Sequence, residues 1–397
     1  MRRTVTSRIG FLNDQRLFRA SDGMYAETPF IRFLLGFAEH FDEVVLLSRV
    51  FDVPEEPTPL YRLPDEKVRV VRLPPYPRIV HLYTHRMRYM PGIERVLKQT
   101  LPDLDALWLN FGHPVSLKAL KLSDKIPRLR CFGVMRGAYE RDARIRSGGP
   151  PMVGWVAEKV MRNNLARFSR MAANRRIPCF AYGQELVQRL DQGGLRVYPF
   201  MDSLLHAQDI DPPPAYAEDL AADLLFVGRL TPEKGLDILL KAMSSIETPE
   251  GEPTLRVVGS GPQEEELREQ ITSLGLDERV IMDGHVDFGP ELFQRYTSAK
   301  LLVMPSRTEG VPKTACEAMA FGTPVVGTAV GGLPDLIGRS RQRGQIVPVN
   351  DPGTLAKTLT SLLADPEGLS KMGEEARAYA APITLERQVQ EMMSHLY

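Results

Sequence analysis

The sequence predicts an α/β protein of two domains, each a parallel sheet covered by helices on both faces. Three observations carry this reading. Short apolar runs end repeatedly in glycine-containing loops that open into helical stretches, which is how parallel strands joined by helical crossovers read. The 397-residue length suits two domains of about 100–200 residues each. Near the middle, Asp209-Ile210-Asp211-Pro212-Pro213-Pro214 continues neither a helix nor a central strand and suits a hinge. We place the domains at 1–205 and 206–380.

In the first half, Val44–Leu47, Val68–Val71, Ala106–Leu109 and Cys131–Val134 are candidate strands, with helices expected over 28–40, 86–100 and 155–172. The proline-rich 54–77 segment reads as a loop around an edge strand. The second half is clearer: Leu224–Gly228, Leu255–Gly259, Val280–Gly284, Lys300–Pro305 and Pro324–Gly327 alternate with helices. Ligands on such sheets bind at the carboxyl ends of the strands, where these glycines fall.

Charge divides along the same line. Fifty Lys and Arg balance fifty Asp and Glu, but residues 1–200 hold 33 basic against 20 acidic side chains, leaving 17 against 30 for the remainder. Neutrality overall suggests no nucleic-acid partner, while the split points to differently employed halves. Residues 128–176 concentrate the excess, with twelve Lys or Arg against Glu140, Asp142 and Glu158. There Ala157, Met161, Leu165, Phe168 and Ala172 recur at helical spacing, with Lys159, Arg162 and Arg170 off that stripe. Two readings stay open: a core-facing helix with a solvated back, or a surface for peripheral contact with anionic lipid or a phosphate-linked acceptor.

At 43% hydrophobic and 25% charged the chain is globular. No apolar run approaches the ~18 residues that span a bilayer, and Met1-Arg2-Arg3-Thr4 leads into no signal-peptide core, so a cytoplasmic location is expected, with a peripheral place on the inner face of the membrane as the variant. Cys131, Cys179 and Cys316 are odd in number and far apart, and are expected as reduced, buried thiols rather than disulfides or zinc ligands.

The sharpest constellation is Glu309-Gly310-Val311-Pro312-Lys313-Thr314-Ala315-Cys316-Glu317, where a loop after a strand turns into a helix. Main-chain N–H groups at that helix start, around Lys313 and Thr314, form an anion site. The two carboxylates, one on the loop and one inside the helix, suit two sets of hydroxyls on either side of a diphosphate. Upstream, Gly228-Arg229-Leu230-Thr231-Pro232-Glu233-Lys234-Gly235 puts two cations in the loop after another strand, placed to stabilise charge on a departing diphosphate. Gly259-Ser260-Gly261-Pro262 opens the next helix as a phosphate or nucleotide loop would.

Over residues 223–345 these motifs resemble retaining glycosyltransferases of family 4, within glycosyl transferases group 1, which have the GT-B fold. The resemblance implies two Rossmann-like doubly wound domains facing across a cleft, with 381–397 as a helix crossing back to the first. It implies retaining, metal-independent transfer of a hexose-type sugar from a nucleotide-sugar, UDP-linked in preference to GDP-linked, to a glycan, lipid-linked or small-molecule hydroxyl. The nucleotide-sugar is a substrate, and no cofactor is expected. Glu309 would hold sugar hydroxyls, Glu317 the ribose, and Arg229 and Lys234 the phosphates. Gly228, Gly259, Gly261, Val311, Lys313 and Thr314 would line the donor, with His285 and Val286 bordering the base. Gly331-Gly332 resembles the glycine pair near the diphosphate, with Asp335 as a helix-start acid.

The first half departs from the family pattern. Ala20-Ser21-Asp22-Gly23 offers only Gly23 where a glycine-rich loop is usual, and Arg136 stands where many members have a histidine. Arginine stays protonated and reads anions through a planar fork, so Arg136 is a candidate for an anionic group on donor or acceptor, or for a pairing with Glu140. Asn110 and His113 are weaker candidates, and Asp103-Leu104-Asp105 reads as structural rather than as a metal site. Three alternatives stand beside the transferase: a nucleotide-sugar epimerase on the same fold, an inverting transferase, and a catalytically silent sugar-nucleotide-binding protein. A dinucleotide dehydrogenase lacks its Gly-x-Gly-x-x-Gly after the first strand.

Overall fold

β-Branched and aliphatic runs gather into two separate sheets in the computed structural model, which describes residues 7–12, 15–52, 61–64, 66–77, 79, 81–135, 151–201, 203–246, 251–310, 312–338 and 341–396. The chain up to Leu204 and from Val389 onward forms one compact unit, and Leu205–Gln388 the other.

In the first unit, β1 (Arg8–Leu12), β4 (Glu43–Asp52), β6 (Val68–Leu73), β7 (Ala106–Asn110), β8 (Arg130–Met135), β9 (Pro178–Ala181) and β10 (Arg196–Pro199) pair in parallel. Their lateral order is β6-β4-β1-β7-β8-β9-β10. Chain progression therefore reverses beside β1, as in doubly wound sheets. Trp108 of β7 centres one face, its ring 5.4–6.1 Å from those of Phe11, Phe33, Phe37 and Phe132. The neighbouring Leu107 and Leu109 point the other way, into a core shared with Phe111 and Phe168.

The long β4 has room for more than one partner on a side: β2 (Arg16–Ala20) pairs with its far end at Arg49–Asp52. From there β3 (Gly23–Ala26) and β5 (Tyr61–Arg62) extend the sheet antiparallel. The expected helix over 28–40 divides into an α-helix, Phe30–Leu35, and a tighter 3₁₀ stretch, Gly36–Glu39. That over 155–172 runs longer, Pro151–Asn174.

The second unit holds β11 (Ala222–Val227), β12 (Leu255–Val258), β13 (Val280–Gly284), β14 (Ala299–Met304), β15 (Val325–Thr328) and β16 (Gly344–Val347), all parallel. Their order, β13-β12-β11-β14-β15-β16, reverses between β11 and β14. Leu224 and Phe226 join a core with the helices Leu236–Met243, Glu264–Ser273 and Pro352–Leu363, while Leu225 and Leu302 are buried on the opposite face.

The division between units falls at Leu204–Leu205, one residue from the expected boundary, and the proline stretch at 209–214 lies a few residues inside the second unit. Asp209 and Ile210 close a short helix, Ala207–Ile210, and Arg377 Nη2 donates to Ile210 O at 3.1 Å, fastening the stretch to the helix Pro366–Ala380. The last helix, Leu385–Leu396, starts in the second unit, where His206 Nδ1 and Glu386 Oε1 lie 2.6 Å apart. It ends in the first unit, where His395 stacks on Tyr198 at 3.5 Å and Arg130 Nη1 donates to Leu396 O at 2.8 Å. Among the described residues no helix is long and apolar enough to cross a membrane. All three cysteines are buried, and burial pushes the thiols of Cys131 and Cys179 up to about 11 and about 12.

Candidate functional site

The reversal between β11 and β14 leaves the loops after these two strands side by side at their carboxyl ends, the place where doubly wound sheets bind ligands. The first loop runs from Gly228 through a 3₁₀ turn, Pro232–Lys234, into the helix Leu236–Met243. The second runs from Pro305 to Gly310 and reaches the helix Lys313–Ala320, whose cap residue Pro312 supplies no side-chain hydrogen bond.

Across them Lys234 Nζ donates to Glu309 Oε2 at 2.7 Å. The two side chains are 21% and 8% exposed, so the carboxylate is the more deeply buried partner. Ser306 Oγ donates to the same oxygen at 3.3 Å. Gly331 backs this loop: a Cβ there would lie 2.3 Å from Glu309 O.

A second pair holds the loops together, and the sequence reading missed it. Arg307 grips Asp237 through both terminal nitrogens, at 2.8 and 2.7 Å, donates from Nη1 to Pro232 O at 2.5 Å and from Nε to Asn350 Oδ1 at 2.7 Å. Its own N–H donates to Glu233 O at 2.8 Å. Burial pushes the Asp237 carboxyl up, but the hydrogen bonds and charge of Arg307 outweigh that and hold it below its ordinary value. An arginine on one loop of the switch point and an aspartate in the first turn of the helix that follows the other were the available signal.

Glu317 lies inside the helix Lys313–Ala320 and is buried, with Oε2 accepting from Tyr296 Oη at 2.8 Å. Burial, the Glu317 charge and the hydrogen bond push the Tyr296 phenol well above its usual value, so it stays a donor. Arg229, by contrast, is 73% exposed and lies 3.6 Å from Glu233, four residues on in the same loop. Lys313 and Thr314 open the helix, half-buried, with Thr314 Oγ1 3.6 Å from Met304 Sδ.

Gly259 and Gly261 allow main chain to press on main chain, Gly259 against Gly228. A Cβ on Gly259 would meet Gly228 O at 1.8 Å, and one on Gly261 would meet Leu230 O at 2.4 Å. Gly259 N also donates to Gly284 O at 2.7 Å, tying the loop after β13 to this layer. That loop is anchored by Asp283, which accepts from Arg256 at 2.5 Å and Arg295 at 2.8 Å. Beyond it His285 is exposed, 3.1 Å from Asp287, and Val286 is half-buried. Asp335 falls in the first turn of the short helix Leu333–Ile337.

The remaining candidates are not brought to this place. Val311 and Arg136 lie outside the described residues. Gly23 belongs to the first unit, beginning the second strand of the β2–β3 hairpin rather than a strand-to-helix loop, with the Arg62 side chain over it. Asn110 and His113 are also in the first unit: Asn110 Oδ1 accepts from Trp108 Nε1 at 3.0 Å, and His113 Nδ1 accepts from Val115 N at 3.3 Å at a helix start. Asp105 Oδ2 accepts from Arg8 N at 2.9 Å, a structural contact. Among the described residues no group of three His, Cys, Asp or Glu side chains is placed to hold a metal ion.

Residues 216–379, which lie within the second unit, match the sequence model of the family described as glycosyl transferases group 1. Over 163 residues the chain is 37% identical to D-inositol 3-phosphate glycosyltransferase of Corynebacterium efficiens, 39% of this chain and 38% of the relative. Over 331 residues it is 27% identical to the lipopolysaccharide core biosynthesis mannosyltransferase LpcC of Rhizobium leguminosarum bv. viciae, 76% of this chain and 91% of that one. The chain spans 38–54% of the length of the first curated relatives it matches. Among solved structures, HepE of Anabaena in complex with UDP aligns at TM-score 0.68 and 18% identity, covering 98% of this chain and 99% of that one. Sucrose-phosphate synthase of Thermosynechococcus elongatus aligns at TM-score 0.70 and 20% identity, covering 98% of each. The fold of this chain is thus the two-domain GT-B fold.

Proposed function

We propose that the chain is a retaining glycosyltransferase of family 4 that moves a hexose-type sugar from a nucleotide-sugar to a hydroxyl acceptor. The observation that carries the reading is the Lys234–Glu309 contact, 2.7 Å long, at the switch point of the second sheet. A cation for phosphates and a buried carboxylate for sugar hydroxyls meet there, in the domain that matches group 1. In this reading Lys234 and Arg229 neutralise the diphosphate, so neither a metal ion nor a cofactor takes part. Gly228, Gly259, Gly261 and the helix start at Val311, Lys313 and Thr314 let main chain approach the donor. Glu309 holds the sugar hydroxyls, and Glu317, oriented by Tyr296, the ribose. The acceptor oxygen bonds to the anomeric carbon on the face from which the diphosphate leaves. The acceptor proton passes to the departing phosphate oxygen, and configuration is retained.

A UDP-sugar is the favoured donor, since HepE, of the same fold, is known in complex with UDP and with UDP-glucose. On the acceptor side we propose that residues 128–176 meet an anionic membrane surface on its cytoplasmic face, which suits a lipid-linked acceptor, and that Arg136 contacts an anionic group. The test is a thermal-shift panel of UDP-, GDP- and ADP-sugars, because a ligand that binds only the folded chain raises its midpoint. One donor is expected to stand out, and Glu309→Ala and Lys234→Ala are expected to abolish transfer from it. A panel without any shift overturns the reading. A product of inverted anomeric configuration overturns retention, and release of free nucleotide without acceptor points to the epimerase.

A further inference from the structure

Glu309 and Lys234 have been given separate tasks toward a donor, yet the structure spends each on the other. The Glu309 side chain is only 8% exposed and takes its one charged hydrogen bond from Lys234 at 2.7 Å, with Ser306 Oγ and Gly310 N as longer, neutral donors at 3.3 and 3.4 Å. A diphosphate that draws the Lys234 ammonium to itself therefore leaves a buried carboxylate stripped of its cation, which is costly unless new donors arrive. Sugar hydroxyls are such donors. A nucleotide-sugar brings phosphates for Lys234 and hydroxyls for Glu309 together, whereas a nucleoside diphosphate brings only the first.

Resting on the function proposed above, we infer that the Lys234–Glu309 pair is a counter-ion exchange that selects the intact nucleotide-sugar over the nucleoside diphosphate. Donor binding opens the ion pair and satisfies both halves. Once the sugar has left for the acceptor, Glu309 regains Lys234 and competes with the diphosphate for it, which favours release of the nucleotide product. Arg229, 73% exposed, keeps its charge for the phosphates in either state.

Calorimetric titration of UDP, GDP and ADP, with UDP-glucose and GDP-mannose beside them, tests this on the wild type and on Glu309→Gln. Removing the competing charge is expected to tighten binding of the nucleoside diphosphate by about tenfold, the size of one charge-assisted hydrogen bond. The nucleotide-sugar gains nothing or weakens. Glu309→Asp, which keeps the charge but withdraws it by one methylene, shifts nucleoside-diphosphate affinity in the same direction by less. Lys234→Met weakens both kinds of ligand. Unchanged or weaker nucleoside-diphosphate binding in Glu309→Gln and Glu309→Asp overturns the exchange while a binding nucleotide-sugar leaves the underlying function standing. A wild type that binds none of the five overturns both.

Discussion

At the scale of single residues, the Glu309 loop is shaped by a glycine that never touches its side chain. Gly331 sits at φ +54°, and a Cβ there would come within 2.3 Å of Glu309 O and 3.1 Å of Gly310 O. Gly331→Ala must therefore push the loop away in addition to straining its own backbone. Gly275, at φ +67° with open space around it, isolates the second effect. Both alanine variants are expected to lose about 1 kcal/mol or more from left-handed backbone strain. Only Gly331→Ala is expected to weaken the donor-induced thermal shift, with nucleotide-sugar affinity down about tenfold, since the displaced carboxylate loses a charged hydrogen bond. Equal donor affinity in the two variants would refute the link. The sequence flagged Gly331 through its likeness to a family glycine pair, but the contact with Glu309 main chain arises from a loop more than twenty positions away and needed the fold.

Among elements, the switch point works because two loops from non-adjacent strands are clamped together. Arg307 closes on Asp237 with a bidentate grip, the two side chains 30% and 24% exposed, and Lys234 rides on the loop so held. The Asp237 carboxyl sits below its ordinary value in the fold. A depressed folded value means the stabilisation is complete above the unfolded carboxylate value near 3.9 and is lost as pH falls through the folded one. Asp237→Asn is expected to lower stability by about 1–3 kcal/mol at neutral pH. Denaturant titrations should show that gap constant from pH 8 to pH 5 and shrinking below pH 4; a gap that widens on acidification would contradict the sign. The five core strands of the second unit and the Glu309–Glu317 pair were legible because apolar runs and glycines mark them. β9, β10 and β16 are no shorter than β12 and β15, but they open on Pro178, Arg196 and Gly344 where those two open on an aliphatic residue, so no apolar run marks them. The clamp joins residues 70 positions apart in chain order, a distance over which pattern carries no information. The hydrogen bond from Arg377 to Ile210 O, beside the proline stretch, joins residues 167 positions apart and was equally out of reach of pattern.

For the whole molecule, zero net charge conceals a first half with 33 basic and 20 acidic side chains. Part of that excess now has a surface. On the helix Pro151–Asn174 the exposed positions include Trp155, Lys159, Arg162, Arg167 and Arg170, and Glu158 is engaged with Arg162 at 2.5 Å. Trp155 is 54% exposed with the Lys159 ammonium 4.9 Å from its ring centre. Tyr83 Oη accepts from Asn164 at 2.5 Å, which brings the turn before the helix Arg86–Thr100 alongside, and there Met87 is 87% exposed between Arg86 and Arg88. An indole and a methionine among cations, without an exposed acid on the described part of the long helix, match the chemistry of an anionic bilayer surface better than that of solvent alone. Each cation near such a surface contributes up to about 1 kcal/mol, screened beyond about 10 Å at 0.1 M salt. The chain is therefore expected to sediment with phosphatidylglycerol-containing vesicles at low salt, to leave them at high salt, and to ignore neutral vesicles. Replacing Lys159, Arg162, Arg167 and Arg170 with glutamine should abolish the binding; Trp155→Ala should weaken it while preserving its salt slope. The donor-induced thermal shift serves as the control and should survive both changes, because Lys234, Glu309 and Glu317, proposed to hold the donor, lie in the other unit. Binding that is absent, or that is indifferent to salt and to the four cations, returns this helix to a core-facing element with a solvated back.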